Sequence, residues 1–265
     1  VDVGDVGSIF SDPDNIIVER DFIFGRHTGV TLEARCTIAN YDASTEELEI
    51  FYSGQAPHMM QYIYAKHLGL QEERVRVISH DVGGAFGIKV HTYGDEIATA
   101  AASILLRRPV KYVADRYESF VSDIHARDHT VKAKMAISKS GDLLAIDFND
   151  VTGIGPYSMY PRTSAIEANQ VLNLTGAPYV LPNYRANSKV VLQNKNMMCQ
   201  YRAVGHPIAM AICDCLLDDA ARKIRMDPVE IRRKNLMADD CYPCSSASGM
   251  KLDDLSHHQC LDKLI

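Results

Sequence analysis

The stretch Asp81-Val82-Gly83-Gly84-Ala85-Phe86-Gly87-Ile88-Lys89 decides how the middle of this chain folds. A β-branched run at residues 75–78 precedes it, and a helical pattern at residues 97–106 follows it. This order predicts a strand, a glycine-rich loop and a helix. Three glycines in five residues allow the backbone to turn sharply and to approach a ligand closely.

The loop itself has two interpretations. Its N–H groups, with a helix start behind them, suit an anionic or oxo-bearing ligand. The alternative is a tight strand-to-helix turn that binds nothing. A nucleotide-binding loop is disfavoured, because residues 83–87 lack both the Lys-Ser/Thr pair of a P-loop and the GxGxxG spacing of a dinucleotide site.

The composition indicates an ordinary globular protein of one large or two modest domains: 265 residues, 46% hydrophobic and 23% charged. The net charge is -6 and no basic stretch is present, which argues against nucleic acid as a partner. No apolar run reaches the roughly 18 residues of a membrane helix, and no signal peptide begins the chain. The first residue is Val1 rather than Met, which suggests a processed product or a piece of a longer polypeptide.

The number and spacing of the cysteines predict reduced thiols and argue against a disulfide framework. Their number, seven, is odd and their spacing is uneven, which favours a cytoplasmic protein. Cys241 and Cys244 form a CxxC pair with His257, His258 and Cys260 nearby. A zinc site is one interpretation of this group, and a reduced pair in a loop is the favoured one.

The pattern of strands and helices predicts a mixed α/β or α+β fold. Predicted strands lie at residues 16–24, 33–39, 48–52, 75–78, 110–113, 130–137, 143–151 and 184–192. Predicted helices begin at or near Pro57, Ile97, Pro207, Pro228 and Gln259. The strand–loop–helix–strand order predicts that part of a sheet is parallel, and residues 130–151 predict a hairpin.

Three segments lack a regular pattern and are predicted to be irregular: residues 1–16, 153–184 and 238–256. An irregular segment as long as 153–184 inside a compact domain is usually functional. The helix at 97–106 carries alanine on nearly all sides, which predicts deep burial.

The glycine loop is one of an ordered set of motifs. Ser53-Gly54-Gln55-Ala56-Pro57 precedes it, and residues 196–207 (Asn-Met-Met-Cys-Gln-Tyr-Arg-Ala-Val-Gly-His-Pro) and 226–236 follow it. Together these resemble the molybdenum hydroxylases, the xanthine oxidase and aldehyde oxidase family. The closest resemblance is to the large, molybdopterin-binding subunit of the aerobic carbon monoxide dehydrogenase type, from Asp21 to the C-terminus.

The resemblance implies roles for individual residues. Gln55 matches a glutamine whose amide bonds an oxo ligand of molybdenum, and Arg202 matches an arginine that orients substrate or stabilises developing charge. The loop residues that match the family's cofactor contacts are Gly84, Ala85, Phe86 and Gly87. Neutral donors and a planar guanidinium suit this chemistry, since they add no negative charge beside a metal–oxo centre. The family takes its metal ligands from the pterin, so no protein ligand is expected.

Structural interpretations of the same residues stay open. Gln55 also suits a helix start, Phe86 suits a core position, and Arg202 suits a structural ion pair. Lys89 suits a solvated position at a helix start. The carboxylates Asp95, Glu96 and Glu167 lack paired spacing, so none of them is assigned as a general base.

Departures from the family narrow the expected chemistry. Val90 stands where xanthine-oxidising members carry a glutamate, which argues against purine orientation as in those enzymes. Ala203 stands where carbon monoxide-oxidising members carry a copper-bound cysteine, and Cys199 lies on the other side of Tyr201 and Arg202. The resemblance then implies hydroxylation of an N-heteroaromatic or aldehyde carbon with oxygen from water. A carbon monoxide dehydrogenase-like subunit and a non-catalytic structural or assembly domain are the alternatives.

The resemblance also implies the surroundings of the chain. It predicts molybdopterin in its cytosine dinucleotide form, and partner subunits that carry iron–sulfur clusters and FAD. It predicts an N-terminal segment at 1–20, the first half of the molybdopterin-binding region at 21–237, and a loop and helix at 238–265 that lead to a second half. The catalytic base is expected on that second half. The chain is therefore expected to be a fragment, or one subunit of a split enzyme, and inactive alone.

Overall fold

The computed structural model describes residues 1–265. The strands are β1 Asp2–Val3, β2 Ile16–Phe24, β3 Cys36–Asp42, β4 Glu47–Tyr52, β5 Val75–Ile78, β6 Val110–Val113, β7 His129–Ile137, β8 Leu143–Gly153, β9 Asn183–Val191, β10 Cys244–Ser245 and β11 Lys251–Leu252. The helices are α1 Val6–Ser11, α2 Pro57–Leu68, α3 Gly94–Leu106, α4 Arg116–Ser122, α5 Ile166–Leu174, α6 His206–Ile224, α7 Pro228–Asn235 and α8 His257–Leu264. Single 3₁₀ turns lie at Glu72–Arg74 and Ile88–Val90. The mixed α/β class is confirmed.

None of these helices combines the length and the apolar character that a membrane span requires.

The larger sheet has five strands in the order β1-β9-β8-β7-β2. The predicted hairpin is present as antiparallel β7 and β8, and β8 is parallel to β9, which it reaches through α5. Alternate residues of β7, from Val131 to Ile137, face α6 and pack against Ile208, Ile212 and Leu216. This core fixes α6, and therefore also the segment that leads into it.

The smaller sheet has four strands in the order β5-β4-β3-β6. β4 and β5 are parallel and α2 connects them, so the predicted partly parallel sheet is confirmed. Leu48 and Ile50 of β4 pack against Met60, Ile63 and Tyr64 of α2. Gly69 ends α2 in the left-handed conformation, as a glycine C-cap does.

A third, small core lies behind the glycine loop. It is formed by five buried side chains from separate parts of the chain: Ile88, Tyr93, Ile124, Met159 and Cys199. The loop therefore rests on a packed layer that is independent of the two sheets' own cores.

A buried ion cluster ties the smaller sheet to the helices around it. Arg35 precedes β3 and is fully buried, and its guanidinium bonds both oxygens of Asp95 at 2.7 Å. Its Nε donates to Asp123 at 2.6 Å, and its guanidinium carbon lies 3.6 Å from the ring centre of Tyr93. Burial raises the pKa of the neighbouring Glu96 to about 7, with Arg35 opposing that shift.

All three segments predicted to be irregular contain regular structure, and the first two contain helices. Residues 1–16 form β1, which pairs with β9, and α1, which Asp5 caps by accepting from Ser8 N. The segment 153–184 contains α5, which has no side-chain cap and buries Glu167 beside Ala168 and Val171. A buried carboxylate interrupts the apolar period, and this is why the helix gives no amphipathic pattern.

Three further expectations need correction. Deep burial of the alanine-rich helix is wrong, since Leu105 is 82% exposed and Leu106 is 60% exposed. The buried side of α3 is instead mixed, since Glu96, Thr99 and Ser103 are buried beside Ala100. The strand predicted at 33–39 begins only at Cys36, and residues 238–256 contain the short pair β10 and β11. The domain division at 20/21 stays a prediction, although that boundary falls within β2.

Removal of the buried guanidinium is expected to destabilise the fold strongly. In Arg35→Met, Asp95 and Asp123 lose their partner, which costs about 3–5 kcal/mol for a buried pair. Urea unfolding followed by circular dichroism measures this loss. Arg76→Met is the matched control, because Arg76 forms only an exposed pair with Glu49 at 3.5 Å, and it should change stability by less than about 0.5 kcal/mol. Equal losses in the two variants would contradict the prediction.

Candidate functional site

The glycine loop lies with its backbone directly against a distant segment of the chain. Gly84, Phe86 and Gly87 have positive φ values of 96°, 53° and 95°. A Cβ atom on Gly87 would lie 2.9 Å from the carbonyl oxygen of Gln200 and 3.3 Å from Cα of Tyr201. Glycine is therefore required at position 87 both for its conformation and for this close approach.

Gln55 is held against the same loop at the start of α2. Its side-chain Oε1 accepts a hydrogen bond from the N–H of Gly87 at 3.0 Å, and its own N–H donates to the carbonyl of Lys89 at 3.0 Å. Because Oε1 is occupied and the residue is exposed, the amide Nε2 remains free to donate to a ligand. The structure thus gives Gln55 a fixed orientation.

The main chain of Arg202 contacts the glycine loop. Its N–H donates to the carbonyl of Phe86 at 2.8 Å, and its carbonyl accepts from the guanidinium of Arg127. The side chain is exposed and forms no ion pair or hydrogen bond within the protein. The structural ion pair considered for Arg202 is therefore not formed.

The rim made by these residues carries only donors. The N–H groups of Ala85 and Phe86 have no acceptor within the protein, and Gln55 Nε2 and the Arg202 guanidinium add two further donors. No carboxylate belongs to this rim. A set of neutral and positive donors suits an oxo-bearing or anionic group, which needs hydrogen bonds but would be repelled by negative charge. These residues therefore fit the chemistry of a molybdenum–oxo pterin.

Lys89, predicted to be solvated, is instead buried and anchors the loop. Its Nζ donates to Glu33 Oε2 at 2.6 Å and to Ser53 Oγ at 2.6 Å. Glu33 also accepts from Ser53 and, at 2.9 Å, from the N–H of Gly83. Burial raises the pKa of Glu33, but the hydrogen bonds from Lys89, Ser53 and Gly83 outweigh it, so the pKa lies below its usual value. Sequence spacing gives no hint of this pair, because 56 residues separate its members.

His91 makes a second connection between the loop and the distant segment. It is buried, and its Nε2 lies 3.2 Å from the carbonyl oxygen of Gln200. Burial lowers the pKa of His91 to about 4, so the ring is neutral near pH 7. It therefore supports the site without adding charge to it.

The three carboxylates considered earlier all lie away from the rim. Asp95 and Glu96 pair with Arg35, and Glu167 is 1% exposed and pairs with Arg127. Each is committed to a buried or partly buried guanidinium. We therefore find no general base among them.

The thiols also lie away from the rim. Cys199 is buried, its Sγ lies 2.6 Å from Gln200 Oε1, and burial raises its pKa to about 11. Cys241 and Cys244 form no disulfide, and their Sγ atoms lie 3.6 Å apart, so the reduced pair stays a prediction. No group of three His, Cys, Asp or Glu side chains is arranged to hold a metal ion.

The lowered pKa of Glu33 predicts a specific pH dependence of stability. A carboxylate whose pKa is depressed in the folded state stabilises the fold above its ordinary value of 4.5, and this contribution is lost as the pH falls through the folded pKa. The stability difference between the wild type and Glu33→Gln should therefore shrink below about pH 4.5. Urea unfolding between pH 3 and 7 measures it. In a Lys89→Met background the same substitution should give a weaker pH dependence, and an unchanged one would contradict the assignment.

Several known proteins are similar in sequence to this chain. The chain is 31% identical to the large subunit of nicotine 6-hydroxylase from Paenarthrobacter nicotinovorans, over 98% of this chain and 32% of that protein. It is 28% identical to the carbon monoxide dehydrogenase large chain of Hydrogenophaga pseudoflava, over 94% of this chain and 31% of that protein. The chain thus spans about a third of the length of these relatives.

A solved structure has the same fold as this chain. Quinoline 2-oxidoreductase from Pseudomonas putida 86 superposes with a TM-score of 0.94 at 28% identity, covering 98% of this chain and 33% of that one. The fold is therefore that of the corresponding part of a molybdenum hydroxylase large subunit. A profile described as a molybdopterin cofactor-binding domain matches residues 1–236, and the chain belongs to that family.

Proposed function

We propose that this chain forms one wall of the active site of a molybdenum hydroxylase, an oxidoreductase that adds oxygen from water to an electron-poor carbon. The observation that carries the proposal is the donor-only rim, where Gln55, Ala85, Phe86 and Arg202 present hydrogen-bond donors that no protein acceptor uses. Membership of the molybdopterin cofactor-binding family supports this use of the rim.

In this proposal one set of rim residues binds the cofactor and another residue contacts the substrate. When bound, molybdopterin supplies the two-electron redox chemistry. Gln55 Nε2 and the N–H groups of Ala85 and Phe86 hold the cofactor's oxygen atoms through neutral donors, in an orientation set before binding. Gly84 and Gly87 supply the positive φ values that shape the loop, while their own N–H groups donate within the protein to Val82 and Gln55.

Arg202 is the residue proposed to act on the substrate. Its planar guanidinium offers several donors to a carbonyl oxygen or ring nitrogen that gains negative charge during the reaction. The ring of Phe86, whose carbonyl accepts from the N–H of Arg202, is 45% exposed and would offer an apolar surface to an aromatic substrate. We favour an N-heteroaromatic ring, since relatives named for nicotine and quinoline support it. An aldehyde is the second candidate, supported by the aldehyde oxidoreductase of Megalodesulfovibrio gigas at 29% identity.

The side chains around Arg202 argue against carbon monoxide oxidation, although carbon monoxide dehydrogenases are among the relatives. Ala203 offers no thiol after Arg202, and the Cys199 thiol is buried with a raised pKa. A soft metal binds thiolates, and a buried protonated thiol is a poor donor for it.

The proposal extends to the rest of the complex. A second half of the large subunit would close the site and supply the general base. Iron–sulfur and FAD subunits would carry the electrons away in the cytoplasm, and the cofactor would be the cytosine dinucleotide form. Relatives described as a large subunit and as subunit gamma of a complex support a multi-subunit enzyme. Such an enzyme would not turn over with this chain alone.

The alternative is a structural or assembly domain that docks partners and holds no cofactor. Molybdenum analysis and pterin fluorescence of the protein purified with its partners distinguish the two functions. About one molybdenum atom per chain, the ratio of a single resident site, supports the hydroxylase. A fully assembled complex without molybdenum supports the structural domain.

Substitutions on the rim are expected to lower turnover by about 10²-fold or more, because each removes a donor aimed at the reacting centre. Gln55→Glu keeps the shape of the side chain but adds a negative charge, so it should also lower the molybdenum content. Arg202→Lys keeps the charge but loses the planar fork, so it should lower kcat/KM with normal molybdenum content. Gln71→Ala, at an exposed residue away from the rim, is the control. Unchanged turnover in both rim variants would refute their proposed roles.

The source of the inserted oxygen is a separate prediction. With quinoline or nicotine as substrate in ¹⁸O-labelled water, the hydroxylated product should carry the label, and mass spectrometry measures it. Label arriving from ¹⁸O₂ instead would contradict hydroxylation with water. Oxidation of benzaldehyde but of neither heteroaromatic would move the assignment to the aldehyde class.

A further inference from the structure

We infer that the buried pair Arg127 and Glu167 is the positioning device for Arg202, and that it holds the backbone on both sides of that residue. This inference rests on the proposed function of Arg202. It concerns two residues that touch neither substrate nor cofactor, since Arg127 is 5% exposed and Glu167 is 1% exposed.

Arg127 contacts the arginine segment from behind. It lies just before β7 in a left-handed conformation, with φ of 66°. Its Nη2 donates to the carbonyl of Arg202, and its Nη1 bonds Glu167 Oε1. Its guanidinium carbon lies 5.5 Å from the ring centre of Tyr201. One buried side chain therefore contacts two successive residues of the segment.

Glu167 contacts the other side of Arg202. Its Oε2 accepts from the N–H of Arg127 at 3.1 Å, and its Oε1 accepts from the N–H of Gly205 at 3.3 Å. A Cβ atom on Gly205 would lie 2.7 Å from Cβ of Gln170 and 2.9 Å from the carbonyl oxygen of Glu167, so this glycine rests directly on α5. The carboxylate thus fixes residue 205, and through Arg127 it fixes residue 202.

The pair is itself anchored in the larger sheet. Arg127 lies two residues before β7, and its N–H donates to Glu167 Oε2 at 3.1 Å. His129 Nε2 lies 3.7 Å from Glu167 Oε2, beyond hydrogen-bond distance, and its Nδ1 lies 2.9 Å from Asp150 Oδ1. The other oxygen of Asp150 accepts from Thr152 at 2.7 Å and from Ser188 at 2.9 Å. The backbone of Arg127 therefore joins the pair directly to the start of β7. The position of the sheet is therefore transmitted to the arginine segment.

The guanidinium of Arg202 has no partner of its own, so the protein fixes this residue through its backbone alone. Phe86 holds the N–H of Arg202 from the front, and Arg127 holds its carbonyl from behind. Ala203, with φ of 60°, follows in a conformation that a residue with a side chain adopts only under constraint. The clamped backbone fixes the point from which the side chain extends, and no existing ion pair has to break when the guanidinium meets a ligand.

The test compares Glu167→Gln with the wild type in the native cofactor-loaded protein. Glutamine keeps the shape of the side chain and an acceptor but removes the charge that balances Arg127. Hydrogen exchange of the amides in residues 201–206 should accelerate by at least about tenfold, while exchange in α7 stays unchanged. Asp214→Asn is the matched control, because it weakens the Arg232 pair on α6 and α7, which is remote from the rim. Unchanged exchange at 201–206 in Glu167→Gln would overturn the inference.

Turnover gives the second measurement, through a double-mutant cycle. Glu167→Gln should lower kcat/KM in the wild type, but should lower it little further in an Arg202→Lys background, because both act through the same side chain. Fully additive losses would mean that Glu167 does not act through Arg202. If exchange accelerates but Arg202→Lys leaves turnover unchanged, the proposed role of Arg202 fails and the positioning of its backbone stands.

Arg127→Lys is the second variant if Glu167→Gln does not fold. Lysine keeps the charge opposite Glu167 but offers no planar fork to reach both Glu167 and the carbonyl of Arg202. The same faster exchange at 201–206 is expected, and its absence in this folded variant would equally overturn the inference.

Discussion

The site depends on one backbone contact, the approach of the glycine loop to residues 200–202. Gly87 lies against Gln200 and Tyr201 with no room for a side chain, and the N–H of Arg202 donates to Phe86. These segments are separated by more than a hundred residues. The loop follows a strand of the smaller sheet, and residues 200–202 follow a strand of the larger sheet. The proposed hydroxylase function requires that they stay together, because their contact places a glutamine amide and a guanidinium on one rim.

Buried charges maintain this contact from two directions. On the loop side, Lys89 and Glu33 tie Gly83 to the start of the smaller sheet. On the arginine side, Arg127 and Glu167 tie the segment to α5 and the larger sheet. In both cases the carboxylate is used inside the protein and is not presented to a ligand. The charge needed for rigidity is thus kept out of the rim, which remains free of negative groups.

The sequence predicts the parts of this arrangement that depend on neighbours in the chain. The strand before the glycine loop, the hairpin, and the proline-started helices α2, α6 and α7 all follow from local pattern and capping, and the structure contains them. The ordered motifs also identified the family correctly. Local pattern misses whatever depends on distant partners. The short strand β1 forms only by pairing with β9. The buried Glu167 interrupts the apolar pattern of α5, so that helix is not predicted. Lys89 is predicted to be solvated because its partner Glu33 is distant in the sequence.

The difference between local pattern and distant contacts also applies to Arg202. Its motif can be recognised in the sequence, but the contacts that fix its position cannot. The motif identifies Arg202 as the residue proposed to face the ligand. In the structure its guanidinium has no partner within the protein. Its position is set by main-chain groups of Phe86 and by side chains from α5 and the start of β7, none of which forms a sequence pattern with it. A cation that is free at its tip and fixed at its backbone can bind charge as it develops, because no existing ion pair has to break first. In the proposed enzyme, the buried pair behind Arg202 would therefore position a catalytic side chain without meeting the substrate itself.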